Sequence, residues 1–193
     1  MNKSAAFFLL PLLLFTAQAD DWPWLLGPTG DNVSKEIGLI DTFPKGGPKQ
    51  VFGRRIGTGY AAPSIRGSKL VVFHRASKLY RIEENDTLGG VIKYVNGELA
   101  ALKAKERLTE TSLKAALAAT RRRGYIELPE AIAKHLDVEA IDCLDAKTGK
   151  LLWRKTHPTP FKIGGGGERH GKGPKSSPVY ADGRLFTMSI SGT

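Results

Sequence analysis

Hydrophobic positions in this chain fall into short alternating runs near both ends and into runs of helical spacing in the middle. From Pro63 a short stretch breaks at Gly67-Ser68 and an apolar run resumes from Leu70 to Phe73. Pro is tolerated at a strand's first residue and Gly supplies the positive φ of a tight hairpin, so the stretch reads as strand, turn, strand. The same design returns at Pro178, Asp182-Gly183 and Leu185, which makes Gly59 to Phe73 and Gly173 to Met188 near copies, one with an extra turn residue. Between them, the run Ile141 to Leu144 ends at Asp145, whose carboxylate can accept N–H bonds from the turn it opens. Thr148 and Gly149 close that turn, and Leu151, Leu152 and Trp153 form the next run. The Trp153 indole is large enough to wedge between neighbouring sheets. Repeated antiparallel hairpins of this kind point to a propeller or a solenoid.

Residues 76–140 break the repeat. Lys78 to Glu83 and Val91 to Val95 read as a small hairpin, and Asn96-Gly97 as a turn. Glu98 to Leu108 has the spacing of an amphipathic helix. A second helix fits Glu110 to Arg122, capped by Thr109 with Gly124 past its end, and a third begins at Pro129 and runs through Ala131, Ile132 and Leu136. Without this stretch the first hairpin would run straight into Ile141, and the repeat spacing would fall to that of one blade, about 50 residues. The expected organisation is therefore an inserted, mostly helical subdomain at 76–140. It divides a leader and first hairpin (20–75) from the rest of the blade and the start of another (141–193).

At this point the residues resemble a known family. Asp145, Thr148, Gly149, Lys150 and Trp153, in the pattern D-x-x-T-G-K-x-x-W, look like the tryptophan-docking motif of the quinoprotein-like β-propellers, the pyrroloquinoline-quinone (PQQ) repeat proteins. The leader DWPWLLGPTGDNVSKEIGL from Asp20, with FPKGGPK and GTGYAAPSI after it, is similar to the start of secreted bacterial members. The resemblance implies a mainly β chain: a partial β-propeller of four-stranded antiparallel blades, with the helical segment inserted between the second and third strands of the first full blade. It implies a structural role for the five motif residues. It also implies one of two functions, a non-catalytic scaffold or binding module, or a piece of a PQQ- and calcium-dependent oxidoreductase whose site lies in other blades. The residues present supply no adjacent Cys pair and no acidic and Asn cluster suited to calcium, which favours the scaffold with no cofactor assigned.

The first nineteen residues carry Lys3, an apolar run from Ala5 to Phe15 and then Ala17-Gln18-Ala19. That is the pattern of a secretory signal peptide cleaved after Ala19, and the apolar run is too short to span a bilayer. A periplasmic or secreted protein of the bacterial envelope is expected. The residues after cleavage are too few for a closed ring, so the chain reads as the N-terminal piece of a longer propeller or as a truncated product. With one cysteine, Cys143, no intramolecular disulfide can form, and a buried structural thiol is expected.

The formal net charge of +10 suits an anionic surface or an acidic polysaccharide, both reachable by an exported chain. A protein partner remains the main expectation. Nucleic acid is disfavoured, because the helix-turn-helix-like stretch Leu128 to Val138 gives its would-be recognition helix to a strand and the inserted segment is nearly neutral. Gly166 to Gly173 falls one residue short of a phosphate-binding loop, since Gly173 replaces the hydroxyl that would meet magnesium. The histidines His74, His135, His157 and His170 lack metal-ligand spacing. Trp22 and Trp24 are expected to pack the leader onto the sheet.

Overall fold

The computed structural model describes residues 20–121, 124–136, 138–158 and 173–189. The proposed leader peptide, the arginines Arg122 and Arg123, most of the glycine-rich loop with His170, and the last residues before Thr193 lie outside them.

The first hairpin forms as its turn chemistry requires. Strand β1 (Ser64–Arg66) pairs antiparallel with β2 (Lys69–Ala76) across Gly67, whose φ is +56°. Strand β2 then pairs along its whole length with β5 (Val138–Asp145), from Lys69 opposite Asp145 to Ala76 opposite Val138. β5 in turn pairs with β6 (Leu151–Pro158), giving an antiparallel sheet in the order β1-β2-β5-β6. Successive side chains alternate between faces. Val71, Phe73, Ile141 and Cys143 make an apolar cluster on one face, closed by Ala61 and by Tyr180 and Leu185 of a separate hairpin, β7 (Val179–Ala181) with β8 (Arg184–Phe186). On the opposite face the register aligns Val72, Asp142 and Arg154.

Between β2 and β5 the chain builds a helical lobe. Strand β3 (Leu79–Arg81) pairs with β4 (Tyr125–Glu127), not with Val91 to Val95. Those residues belong to helix α1 (Leu88–Ala101), because Val91, Val95 and Leu99 recur every four residues and bury together. Thr87 caps α1 by accepting from the Gly90 N–H. The expected helix at Glu98 to Leu108 thus starts earlier and ends earlier. Asn96, expected in a turn, lies within α1 and clamps the following loop through its amide, which bonds both the N–H and C=O of Leu108. Helix α2 (Glu110–Ala119) starts at Thr109, which forms a capping box with Ser112. Helix α3 (Glu130–Ala133) follows Pro129 and is a single turn. Leu99, Leu108, Leu113, Ile126, Ile132 and Leu136 form the centre of a core separate from the sheet's apolar cluster.

These observations overturn the expectation of a mainly β partial propeller. The described residues form a small α+β structure with three helices and one four-stranded and two two-stranded antiparallel sheets. The second hairpin forms its own small sheet and packs on the face of the first. Trp153, expected as a wedge between sheets, is 39% exposed on β6. Without burial of that indole between stacked sheets, the contact that would define propeller packing is missing from the described residues.

Candidate functional site

The motif residues occupy a turn. Asp145 Oδ1 accepts from the Thr148 N–H at 2.8 Å, the Thr148 hydroxyl at 2.7 Å and the Lys147 N–H at 3.2 Å, while Lys150 returns the chain by offering its carbonyl to the Asp145 N–H. These bonds hold the Asp145 carboxyl below its usual range. Gly149 has φ +68°, and a Cβ there would stand 2.4 Å from the Phe52 ring, so both backbone and space demand glycine. Asp145, Thr148, Gly149 and Lys150 are therefore brought together as the closure of the β5–β6 hairpin. Trp153 stands apart from them, and none of the five lines the cleft described next.

That cleft, of about 730 Å³, opens between the lobe, the end of β2 and the segment 55–60. Four of the chain's five tyrosines line it: Tyr60, Tyr80, Tyr94 and Tyr125. The Arg55 guanidinium lies 4.0 Å from the Tyr80 ring centre and 5.5 Å from that of Tyr94, and the two rings meet edge to face at 5.7 Å. Arg55 Nη1 donates to both Asp86 oxygens at 3.0 and 3.1 Å and to the Tyr80 hydroxyl at 2.5 Å, and Nη2 donates to the Arg81 carbonyl. The Tyr80 hydroxyl in turn donates to Asp86 Oδ1 at 3.0 Å. Burial and that acceptor push the Tyr80 phenol up to about 12. Burial, with the Glu98 charge nearby, raises Tyr94 as well.

Behind the cleft runs a buried charge network. Glu98, on the inner side of α1, receives both Nη atoms of Arg154 at 2.9 and 3.1 Å. Arg154 also grips Asp142, Nε to Oδ1 at 2.5 Å and Nη2 to Oδ2 at 2.7 Å, and His74 Nε2 lies 3.1 Å from Asp142 Oδ2. The Gly57 N–H donates to His74 Nδ1 at 3.1 Å, which leaves Nε2 to carry the proton offered to Asp142. Burial alone would raise the Asp142 carboxyl; the bonds from Arg154 and His74, together with the Arg154 charge, outweigh it and hold the group at about 2. On the other face of the same strands Arg75 and Glu139, both buried, stand directly opposite each other.

One chain of contacts thus ties β6, β5, β2, the 55–60 segment and α1 together. Gly57 is its tightest point, because a Cβ there would fall 1.9 Å from the Arg75 carbonyl oxygen. The Thr58 N–H and C=O exchange bonds with Arg75 across this approach, at 2.9 and 2.7 Å.

The other residues singled out in the sequence are spread elsewhere. Cys143 is fully buried, and burial raises its thiol. His135 meets Glu106 at 2.7 Å at the lobe surface, and His157 is exposed at the end of β6. Trp22 bridges to Ile65 at the edge of β1. Among the described residues no three His, Cys, Asp or Glu side chains are grouped to hold a metal ion, and no helix is long and apolar enough to cross a membrane.

The cleft and the network escaped sequence reasoning because their members are dispersed from residue 55 to residue 154. A signal was present all the same: His74-Arg75 and Glu139 with Asp142 interrupt the apolar runs of two strands, and Arg75 is opposite in charge to Glu139 and Asp142. Compared with family models, curated proteins and solved structures, the chain finds no match in any of the three. Fold and site define it as a small α+β protein with a tyrosine-lined cleft between sheet and helical lobe.

Proposed function

We propose that this chain is an exported, non-catalytic binding module of the bacterial envelope that receives a partner protein in the tyrosine-lined cleft. The observation that carries the reading is the convergence of four tyrosines, far apart in sequence, on one concavity of ligand-binding size. Tyrosine offers a large rigid face at low conformational cost together with a polar tip, which is why it is enriched at interfaces. A binding role fits better than a catalytic one because the ionisable groups near the cleft are engaged with each other. Glu98 holds Arg154, Asp86 holds Arg55, and His74 has both ring nitrogens bonded. Export rests on the charged, apolar and small-residue pattern of residues 1–19.

Two measurements test this. A photo-crosslinking amino acid placed at position 60 in the source cell should trap a discrete protein adduct that the same probe at position 180 does not. Equal labelling at both sites, or none, removes the cleft from the proposal. Residues 1–30 fused to a reporter that is active only outside the cytoplasm should yield activity, and an inactive fusion ends the export reading.

A further inference from the structure

Strand β6 is the last strand of the four-stranded sheet, and among the described residues no strand pairs with its outer side. The ladder fixes which of its main-chain groups face outward. Arg75 spends its N–H and C=O on Thr58, away from β5. Hydrogen-bonding direction alternates along an antiparallel strand, so Glu139, opposite Arg75, turns its groups to β6, and Ile141 does the same. Their partners His157 and Lys155 answer them, which leaves the N–H and C=O of Arg154 and Thr156 pointing away from the sheet. Exposure agrees: the Arg154 side chain is only 3% exposed, yet the residue as a whole is not buried, so what meets solvent is its main chain. The grip of Arg154 on Asp142 and Glu98 anchors this edge to β5 and α1 before anything binds. Leu152 and Trp153 lie beside it, 48% and 39% exposed.

An open edge offers donors and acceptors at the spacing of a second strand. A peptide main chain matches both, whereas a polyphosphate brings acceptors alone. Charge then narrows the peptide. Every exposed charged side chain of β6 and of the turn before it is basic: Lys147, Lys150 and Lys155. Asp145 is spent within the turn, and Glu139 and Asp142 on the neighbouring strand are buried. A second copy would set this basic edge against itself and bring together two chains of formal charge +10. The geometry points to β6 as the docking edge for an extended acidic segment of a partner protein. That segment adds a strand through the Arg154 and Thr156 main-chain groups, sets a carboxylate beside Lys155 and covers Leu152 and Trp153. No residue of β6 lines the tyrosine cleft, so this surface stands whether or not the cleft receives a partner.

The test titrates the full chain with a blocked peptide alternating glutamate and valine, with its lysine counterpart, with the glutamate peptide N-methylated at every residue, and with inorganic polyphosphate. The glutamate peptide should bind saturably, and about fivefold more weakly at high salt than at low. Bound peptide should slow exchange of the Arg154 and Thr156 amides by about tenfold or more, which a diffuse ion atmosphere would not do. Lys155→Glu, at an exposed position, should weaken the glutamate peptide about fivefold to tenfold and admit the lysine peptide. Tyr60→Ala, in the cleft, should change neither. N-methylation keeps the charges and removes the donors, so it should abolish binding without touching the fold of the protein. No saturable binding, or equal binding of the N-methylated peptide, overturns the inference. Polyphosphate binding that leaves both amides unchanged, with the glutamate peptide inert, reduces the edge to a basic patch and overturns it too. Protection of the Thr156 amide in peptide-free protein that sediments as a dimer gives the edge to a second copy instead.

Discussion

Asp142 concentrates the cost and the benefit of a buried charge. It is fully removed from solvent, yet two bonds from Arg154 and one from His74 hold it at about 2. Because its folded pKa lies below the ordinary 3.8, its contribution is complete above about pH 4 and is lost as pH falls toward 2. Chemical denaturation from pH 6 to 2 should show the wild type losing on the order of 2 kcal/mol from this group alone. An Asp142→Asn variant should be less stable by about 1.5–3 kcal/mol at neutral pH, because Arg154 loses its charged bonds to Asp142 but keeps Glu98, and should lack this acid dependence. Parallel pH curves for the two would remove Asp142 as the origin. Gly57 makes the steric counterpart: Gly57→Ala should cost about 1–3 kcal/mol through its clash with the Arg75 carbonyl. Its Thr58 and Tyr60 amides should also exchange faster. The charged residues within the strands were visible in the sequence, but not their partners, because each constraint joins residues that only the folded chain brings together.

Individual elements were legible where the local chemistry is self-sufficient. Gly67 at +56° between two strands, the Asp145 to Lys150 turn and the Thr109 cap each follow from side chains within a few residues. Thr109→Ala should therefore destabilise the protein by about 1 kcal/mol, measurable as a shift in denaturation midpoint with unchanged slope. Helix α1 was misread for a physical reason. Val91 and Val95 favour strands by propensity, and Gly89, Gly90 and Gly97 weaken a helix. The burial of Val91, Val95 and Leu99 along one stripe outweighs both. Trp153 failed in the opposite way: the turn that precedes it is encoded locally, whereas what covers an indole depends on the arrangement of whole sheets, and here it is partly open to solvent.

At the scale of the molecule, order is uneven. The leader and the segment after it make few strand pairings, and Ile37, Leu39, Ile40, Phe43 and Val51 are 61–93% exposed. Strand β5, paired on both sides, is the most enclosed element of the sheet. Hydrogen exchange should show the amides of 33–51 exchanging almost without protection, those of α1 and α2 at intermediate rates, and those of β5 last. Comparable protection in 33–51 and β5 would contradict this order.

The position of the lobe between β2 and β5 has a consequence for how the protein assembles. During synthesis β2 emerges long before its main partner, and every pairing between them waits on the chain from 77 to 137. The lobe's helices and capped turns are local and quick to form, whereas the β2–β5 ladder is non-local and slow. Once folded, the lobe holds its two exits side by side, because Ala76 faces Val138. It then acts as a template that presents β5 to β2 in register. Pulse-labelled refolding should find α1 and α2 protected before β5. Until the lobe closes, the Val71 to Phe73 edge of β2 is an open invitation to pair with a neighbouring chain, so substitutions in the lobe core should first be felt as aggregation of the sheet.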